Sequence, residues 1–151
     1  MIVRRPLTNA REILEEARLE LSAGLVGDAW LAGSRGQSAD PEAELTLMNT
    51  RAIALIAGEK DRWPLAGDQL YVDLDLSGEN LPAGTRLKIG NAVIAVTATP
   101  HTGCSKFKAR FGADAVKFVN SHEGRRLNLR GVNARIVEPG KIRVGDSVTK
   151  C

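Results

Sequence analysis

Leu70, Val72, Leu74 and Leu76 alternate with Tyr71, Asp73 and Asp75, the two-residue period that turns one face of a strand to a core and the other to polar surroundings. The period returns at Leu87 and Ile89 between Arg86 and Lys88, and Gly90-Asn91 then offers a tight turn before Ala92 to Thr99, which is apolar on both faces. This pattern predicts a hairpin whose second strand is central. Ala134 to Glu138, the turn Pro139-Gly140 and Lys141 to Val148 predict a closing hairpin. Arg51 to Ala57 reads as a buried strand, with the start of a helix as the competing reading, because the run is too short for periodicity to decide.

Helical spacing is also present. Asn9 is placed to cap a helix with Glu12 at the N3 position, and Ala10, Ile13, Leu14, Ala17 and Leu21 recur at that spacing up to Gly24. They predict an amphipathic helix over residues 10–23, with Glu15, Glu16, Arg18 and Glu20 on its solvated face. Ser105 to Phe111 and Ala113 to Asn120 read as short helices broken at Gly112, and Ser34 to Glu44 as a loop. Strands joined by hairpins predict a β-rich α+β fold, a mostly antiparallel sheet curled into a barrel with peripheral helices, in one domain over residues 1–151.

A chain of 151 residues with 43% hydrophobic content can bury a core without disulfides. Its two cysteines, Cys104 and the terminal Cys151, do not suggest a disulfide framework. His101 and Cys104 have ligand-like spacing, but only His122 and the chain end remain to complete a zinc cage, so no zinc is expected. No apolar run of about 18 residues spans a bilayer, and Met1 to Pro6 lacks the apolar run of a secretory signal, which predicts a cytoplasmic protein without membrane contact.

Net charge is only +3, but it is segregated along the chain. Residues 1–99 carry 10 basic and 14 acidic side chains, whereas residues 100–135 carry 8 basic and 2 acidic, so the surplus surrounds Cys104. A cysteine is nucleophilic or metal-binding as thiolate, which a helix N-terminus and nearby cations favour. Ser105 to Phe111 places Cys104 at the N-cap, Lys106, Lys108 and Arg110 add charge, and Gly103 lets the backbone approach a bound group. A cysteine packed as a small hydrophobe is the competing reading.

His101 is spaced to accept the thiol proton, yet no acidic residue within the turn orients its ring, so a contact role is expected rather than a catalytic base. Arg125, Arg126 and Arg130 offer forks for an oxyanion, with a solvated face as the plainer alternative. Aromatics are 4% of the chain and none interleaves these arginines, which argues against nucleic acid as partner.

Taken in order, Gly24-Leu25-Val26-Gly27-Asp28, Gly78-Glu79-Asn80-Leu81, the stretch Gly84 to Gly90, Cys104, Gly140 and Gly145-Asp146 resemble the MOSC domain family, related to the C-terminal part of molybdenum-cofactor sulfurases. The resemblance runs from about Gly24 to Val148, matches poorly from Ala29 to Gln69, and has His101 where many members carry arginine after the proline. It implies a barrel-like MOSC fold in which Cys104 carries sulfur as a persulfide or ligates molybdenum in a pterin cofactor. Implied site residues are Cys104 with His101, Thr102, Gly103, Lys106, Asn80, Arg126 and Arg130 around an anionic cofactor or small molecule. A sulfurtransferase or a molybdenum-dependent oxidoreductase would follow, with a binding module for an anionic ligand as the alternative. No NAD or haem is called for, and sulfur or electrons would come from a cysteine desulfurase or a separate electron donor.

Overall fold

The computed structural model describes residues 1–31 and 39–151. An eight-stranded, mostly antiparallel sheet curls into a half-barrel. Its strands are β1 (Ile2–Arg4), β2 (Glu12–Leu14), β5 (Leu45–Asn49), β6 (Leu70–Val72), β7 (Arg86–Ile89), β8 (Ala92–Val96), β9 (Val132–Glu138) and β11 (Val148–Lys150), in the order β11-β7-β8-β9-β5-β6-β1-β2. A second sheet, β10-β3-β4, joins β3 (Glu16–Glu20), β4 (Gly24–Leu25) and β10 (Gly140–Arg143). One pair, β5 with β6, is parallel, as the crossover through helix α1 (Thr50–Ala57) and a 3-10 helix at Lys60–Ala66 requires.

The two-residue period sorts side chains between two cores. Leu45 and Leu47 of β5, Leu70 and Val72 of β6, and Ala134 and Ile136 of β9 fill the barrel interior. Met48 and Tyr71, on the opposite face, pack with Ile53 of α1, Phe107 of α2 (Ser105–Phe111) and Val119 of α3 (Ala113–Asn120). The outer layer therefore lies on the sheet face that also carries Thr46 and Asn133, one residue out of phase with the barrel positions.

The expected hairpin is present, with Leu87 facing Ile94 across Gly90-Asn91, and the helices α2 and α3 break at Gly112, whose φ is +93°. Three expectations change. Residues 10–23 form β2 and β3 instead of a helix: Leu14 pairs with Ile2, and Glu16 to Leu19 pair with Arg143 to Gly140. Ile13 and Leu21, assigned to a helical core face, are 58% and 55% exposed, while Leu19 is buried. Long-range pairing outweighs the helical propensity of this stretch, and Asn9 sits in a turn at φ +63°.

Arg51 to Ala57 is helical, capped by Asn49, whose side chain accepts from the Arg51 and Ala52 amides. Finally, β9 and β10 do not pair as a hairpin. The chain turns a corner at Pro139, β9 remains between β8 and β5, and β10 joins β3 in the smaller sheet. The stretch after Val72 keeps its alternation, with Leu76 buried, but leaves the ladder for a turn in which Asp75 accepts from the Ser77 amide. Of the expected loop at Ser34 to Glu44, residues 34–38 lie outside the described residues, and Pro41–Ala43 form a short 3-10 helix capped by Asp40.

Candidate functional site

The segment from Thr99 to Cys104 leaves the central strand β8 and is pinned by side chains from three other elements. The buried Asn133 amide of β9 donates to the Thr99 and Pro100 carbonyls at 3.0 and 3.3 Å. Asn120, closing α3, clamps Gly103 from both sides, accepting from its amide at 2.9 Å and donating to its carbonyl at 3.0 Å. His101 Nε2 meets Asp68 Oδ1 at 2.8 Å. A loop fixed at this many points holds its next residue, Cys104, without help from a ligand.

Cys104 is exposed, unpaired and the N-cap of α2. Partial burial pushes its thiol up, but the Phe107 and Lys106 amides and the Arg130 charge more than offset this and leave it below the ordinary thiol value. The sulfur is thus biased toward thiolate by backbone and charge together.

Asp68 is fully buried between His101 and Arg130, whose Nη1 donates to Asp68 Oδ2 at 2.6 Å. Burial alone would raise this carboxyl. The Arg130 and His101 charges and their hydrogen bonds hold it well below the usual carboxylate range. Against the ionised Asp68, His101 Nε2 donates its hydrogen bond, and Nδ1 meets no hydrogen-bond partner among the described residues. Arg130 in turn lies over the buried Phe107 ring, 4.8 Å from its centroid.

A cleft of about 460 Å³ opens onto this group, lined by His101, Cys104, Lys106, Phe107 and Arg130 and, from elsewhere in the chain, by Arg5, Arg11, Arg110, Thr46 and Trp30. One short segment collects most of the charge. At the end of the 3-10 helix the carbonyls of Pro64, Leu65, Ala66 and Gly67 accept in succession from Arg11, Arg110, Arg130 and Arg5, at 2.9, 3.0, 2.9 and 2.9 Å. Carbonyls at a helix C-terminus attract cations, and here four consecutive ones each accept from a guanidinium, Pro64 while also accepting from the Gly67 amide.

Two of the four are matched by carboxylates. Arg130 has Asp68, and Arg5 has the buried Asp28, joined to it at 2.7 Å. Burial would raise Asp28, and the Arg5 contacts together with the Trp30 amide bring it below its ordinary value. Asp40 is the one carboxylate on the described lining, which leaves Arg11, Arg110 and Lys106 as cations without an ion pair among the described residues.

Of the residues expected at a site, the structure brings together His101, Cys104, Lys106 and Arg130. It does not bring in the others. Arg126, in helix α4 (His122–Arg126), pairs with Glu123 and Glu79 on an exposed face, and Asn80 spends its amide on the Asp75 carbonyl in a turn. Thr102 is exposed and off the lining. Gly103 turns its bare side to α3, where a β-carbon would sit 3.0 Å from Val119 Cγ2, so its smallness serves packing rather than a bound group.

The sequence reading missed Asp68, Asn120, Asn133, Arg5 and Arg11. An acid absent from the turn around His101 arrives from 33 residues away. The one available signal was Asp68-Gln69 directly before a strongly alternating strand, two polar residues that prove to be fully buried.

A family model described as MOSC domain matches residues 37–149. The chain belongs to the MOSC domain family. No curated protein matches the sequence at a significant level. Among solved structures the chain is similar to the YuaD protein from Bacillus subtilis, at TM-score 0.68 and 15% identity over 97% of this chain and 91% of that one. It is also similar to YiiM from Escherichia coli, at TM-score 0.66 and 20% identity over 99% and 67% of the two chains. A further crystal structure, titled only as a hypothetical protein, aligns at TM-score 0.69 and 20% identity over 99% of this chain. The chain spans 65% of that protein's length. These likenesses establish the MOSC fold. The family match contains Asp68, His101, Cys104, Arg110 and Arg130, whereas Arg5, Asn9 and Arg11 lie before it.

Proposed function

We propose that the cleft holds an anionic molybdenum–pterin cofactor with the Cys104 thiolate as a protein ligand to the metal. The observation that carries this reading is the sharing of one cleft by an exposed, acidified thiol and three cations without ion-pair partners among the described residues. The residues present fit such a group. Arg130 Nε is the one buried side-chain polar atom without a hydrogen-bond partner among the described residues, so an acceptor on an occupant would satisfy a donor that is otherwise costly. The volume lies within the range of small-molecule sites. The described residues hold no cluster of three or more His, Cys, Asp or Glu fit for a metal, so most ligands would come from the pterin.

When bound, the cofactor supplies two-electron redox chemistry, with electrons from a separate donor. The chain's own residues bind and orient. Cys104 offers a soft thiolate, the Lys106 and Phe107 amides hold its charge, and Arg130, fixed by Asp68 and Phe107, keeps that charge close. His101, tied by Nε2 to Asp68, has Nδ1 to give or take a proton at the ligand.

A second reading, sulfur carriage, is favoured by the exposure of Cys104 itself. There the thiolate attacks the outer sulfur of a desulfurase persulfide, the donor S–S bond breaks, and the donor leaves as thiolate. Expression in a cofactor-competent host, followed by elemental analysis and pterin fluorescence, separates these. The proposal expects molybdenum and pterin in comparable amounts on the purified chain. Metal-free protein that accepts persulfide on Cys104 from a cysteine desulfurase would replace it with the carrier reading. Protein that does neither, yet binds anions, would be a binding module.

A further inference from the structure

Two peptide planes flank Cys104, and each is held from a different place. The plane after it is fixed by α2, where the Cys104 carbonyl accepts from the Lys108 amide at 2.9 Å. The plane before it contains the Gly103 carbonyl and the Cys104 amide, and that carbonyl accepts from Asn120 Nδ2 at 3.0 Å. Asn120 Oδ1 also accepts from the Gly103 amide at 2.9 Å, so one side chain grips Gly103 at both ends. Because a peptide unit is planar, two fixed planes leave Cys104 a single backbone conformation, φ −114° and ψ −177°, with only χ1 to place its sulfur.

We propose that Asn120 is the positioning residue for Cys104: by holding Gly103 against the end of α3 it fixes the plane before the cysteine and keeps Sγ beside the first amides of α2. This deepens the reading of Cys104 as the reactive atom and rests on that reading for its purpose, while its test needs neither metal nor sulfur donor. Asn120 and Gly103 are both off the described lining of the cleft, so Asn120 acts on the thiol through the backbone rather than on an occupant.

The fit between loop and helix is close. Gly103 lies outside the left-handed backbone region that favours glycine, so its lack of a side chain answers to space alone. A β-carbon there would lie 3.0 Å from Val119 Cγ2, 3.4 Å from Asn120 Oδ1 and 3.5 Å from Asn120 Nδ2. Val119 is buried, and a valine in a helix has one strongly preferred rotamer, which leaves it little room to give way. A larger residue at 103 presses the loop off α3 and stretches both Asn120 bonds.

The thiol depends on the amides that this geometry brings to it. Burial pushes it up, and the Phe107 and Lys106 amides, the Arg130 charge and the Cys104 amide bring it below its ordinary value. The last of these amides lies in the plane that Asn120 holds. When that plane swings, the sulfur moves off the Lys106 and Phe107 amides and the Cys104 amide turns with it.

The test is the pH dependence of iodoacetamide alkylation at Cys104, measured on the full Cys151→Ser chain expressed without cofactor. The midpoint of this parent should lie below that of free cysteine, about 8.5. Asn120→Ala and Gly103→Ala should each raise the midpoint by at least about half a pH unit. Val119→Ala trims a buried side chain and should lower the melting temperature while leaving the midpoint at the parent value. Adding Val119→Ala to Gly103→Ala makes room for the new β-carbon and should return the midpoint to the parent value, which a merely structural loss would not do.

A parent midpoint at or above that of free cysteine overturns the proposal, as does a parental midpoint in Asn120→Ala or Gly103→Ala. So does a shift in Val119→Ala equal to that in Gly103→Ala, or a double variant that stays with Gly103→Ala. If Asn120→Ala does not fold, Gly103→Ala with and without Val119→Ala carries the decision. A chain that shows these shifts but takes up no molybdenum sinks only the cofactor reading, and one that binds molybdenum with midpoints indifferent to the clamp sinks only this proposal.

Discussion

Four arginines hang from four consecutive carbonyls beside the thiol, and they divide into two pairs. Arg130 and Arg5 each meet a buried carboxylate, Asp68 and Asp28, whereas Arg11 and Arg110 meet only carbonyls and an amide oxygen. The first pair spends its charge inside the fold and fixes the loop and the thiol's surroundings. The second keeps its charge available to an occupant. Position in sequence does not separate the two kinds, because Arg5 and Arg11 are close neighbours in the chain, as are Arg110 and Arg130 on the scale of the fold.

The most severe way to break this division is Asp68→Asn. It leaves Arg130 buried beside Phe107 without its counter-charge, and removing one member of a buried pair costs about 3–5 kcal/mol. Urea unfolding near neutral pH should show a loss of that order, and a loss under about 1 kcal/mol would mean that Arg130 is not held as described. Acid supplies the same test without mutation. Asp68 sits below its unfolded value, near 3.9, so its contribution is complete above that pH and is lost as pH falls through the folded value. The wild-type chain should lose stability below about pH 4, and Asp68→Asn should show a shallower loss over the same range.

The other pair should behave oppositely. Arg110→Gln relieves repulsion with Arg11 and gives up two exposed hydrogen bonds, so stability should change by no more than about 0.5 kcal/mol. Added salt, which already screens that repulsion, should bring mutant and wild type together. A large destabilisation would place Arg110 with Arg130 and remove the distinction. Smallest of all is Arg126→Gln, away from the cleft and paired only with exposed Glu79 and Glu123. Melting temperature should match wild type.

What could be read in the sequence follows the range of the forces involved. The hairpin around Gly90-Asn91 and the helices broken at Gly112 are local patterns, and each forms where its period and breaker place it. Cys104 stood out because its own neighbours make it an N-cap among cations. Residues 10–23 misled because their helical spacing is real but weak beside the pairing of Leu14 with Ile2 and of Ala17 with Ile142, contacts that no local window contains. The same limit hid Asp68 from His101 and sent Arg126 to its own glutamates. A surplus of charge around residue 104 could be counted, whereas which cations the fold neutralises depends on partners from 33 to 62 residues away.

The central claim is that Cys104 is the atom the cleft is built around, and molybdenum and pterin content of Cys104→Ser against Cys151→Ser, both expressed in a cofactor-competent host, tests it most directly. Serine keeps nearly the same shape at an exposed loop position, so both variants should fold with stability within about 1 kcal/mol of wild type. Cys151→Ser should retain metal and pterin at the wild-type level, while Cys104→Ser should lose the metal, because a hydroxyl stays protonated near neutral pH where the thiol ionises. Equal molybdenum in the two variants, or unfolding of Cys104→Ser alone, would contradict the account and make Cys104 a structural residue.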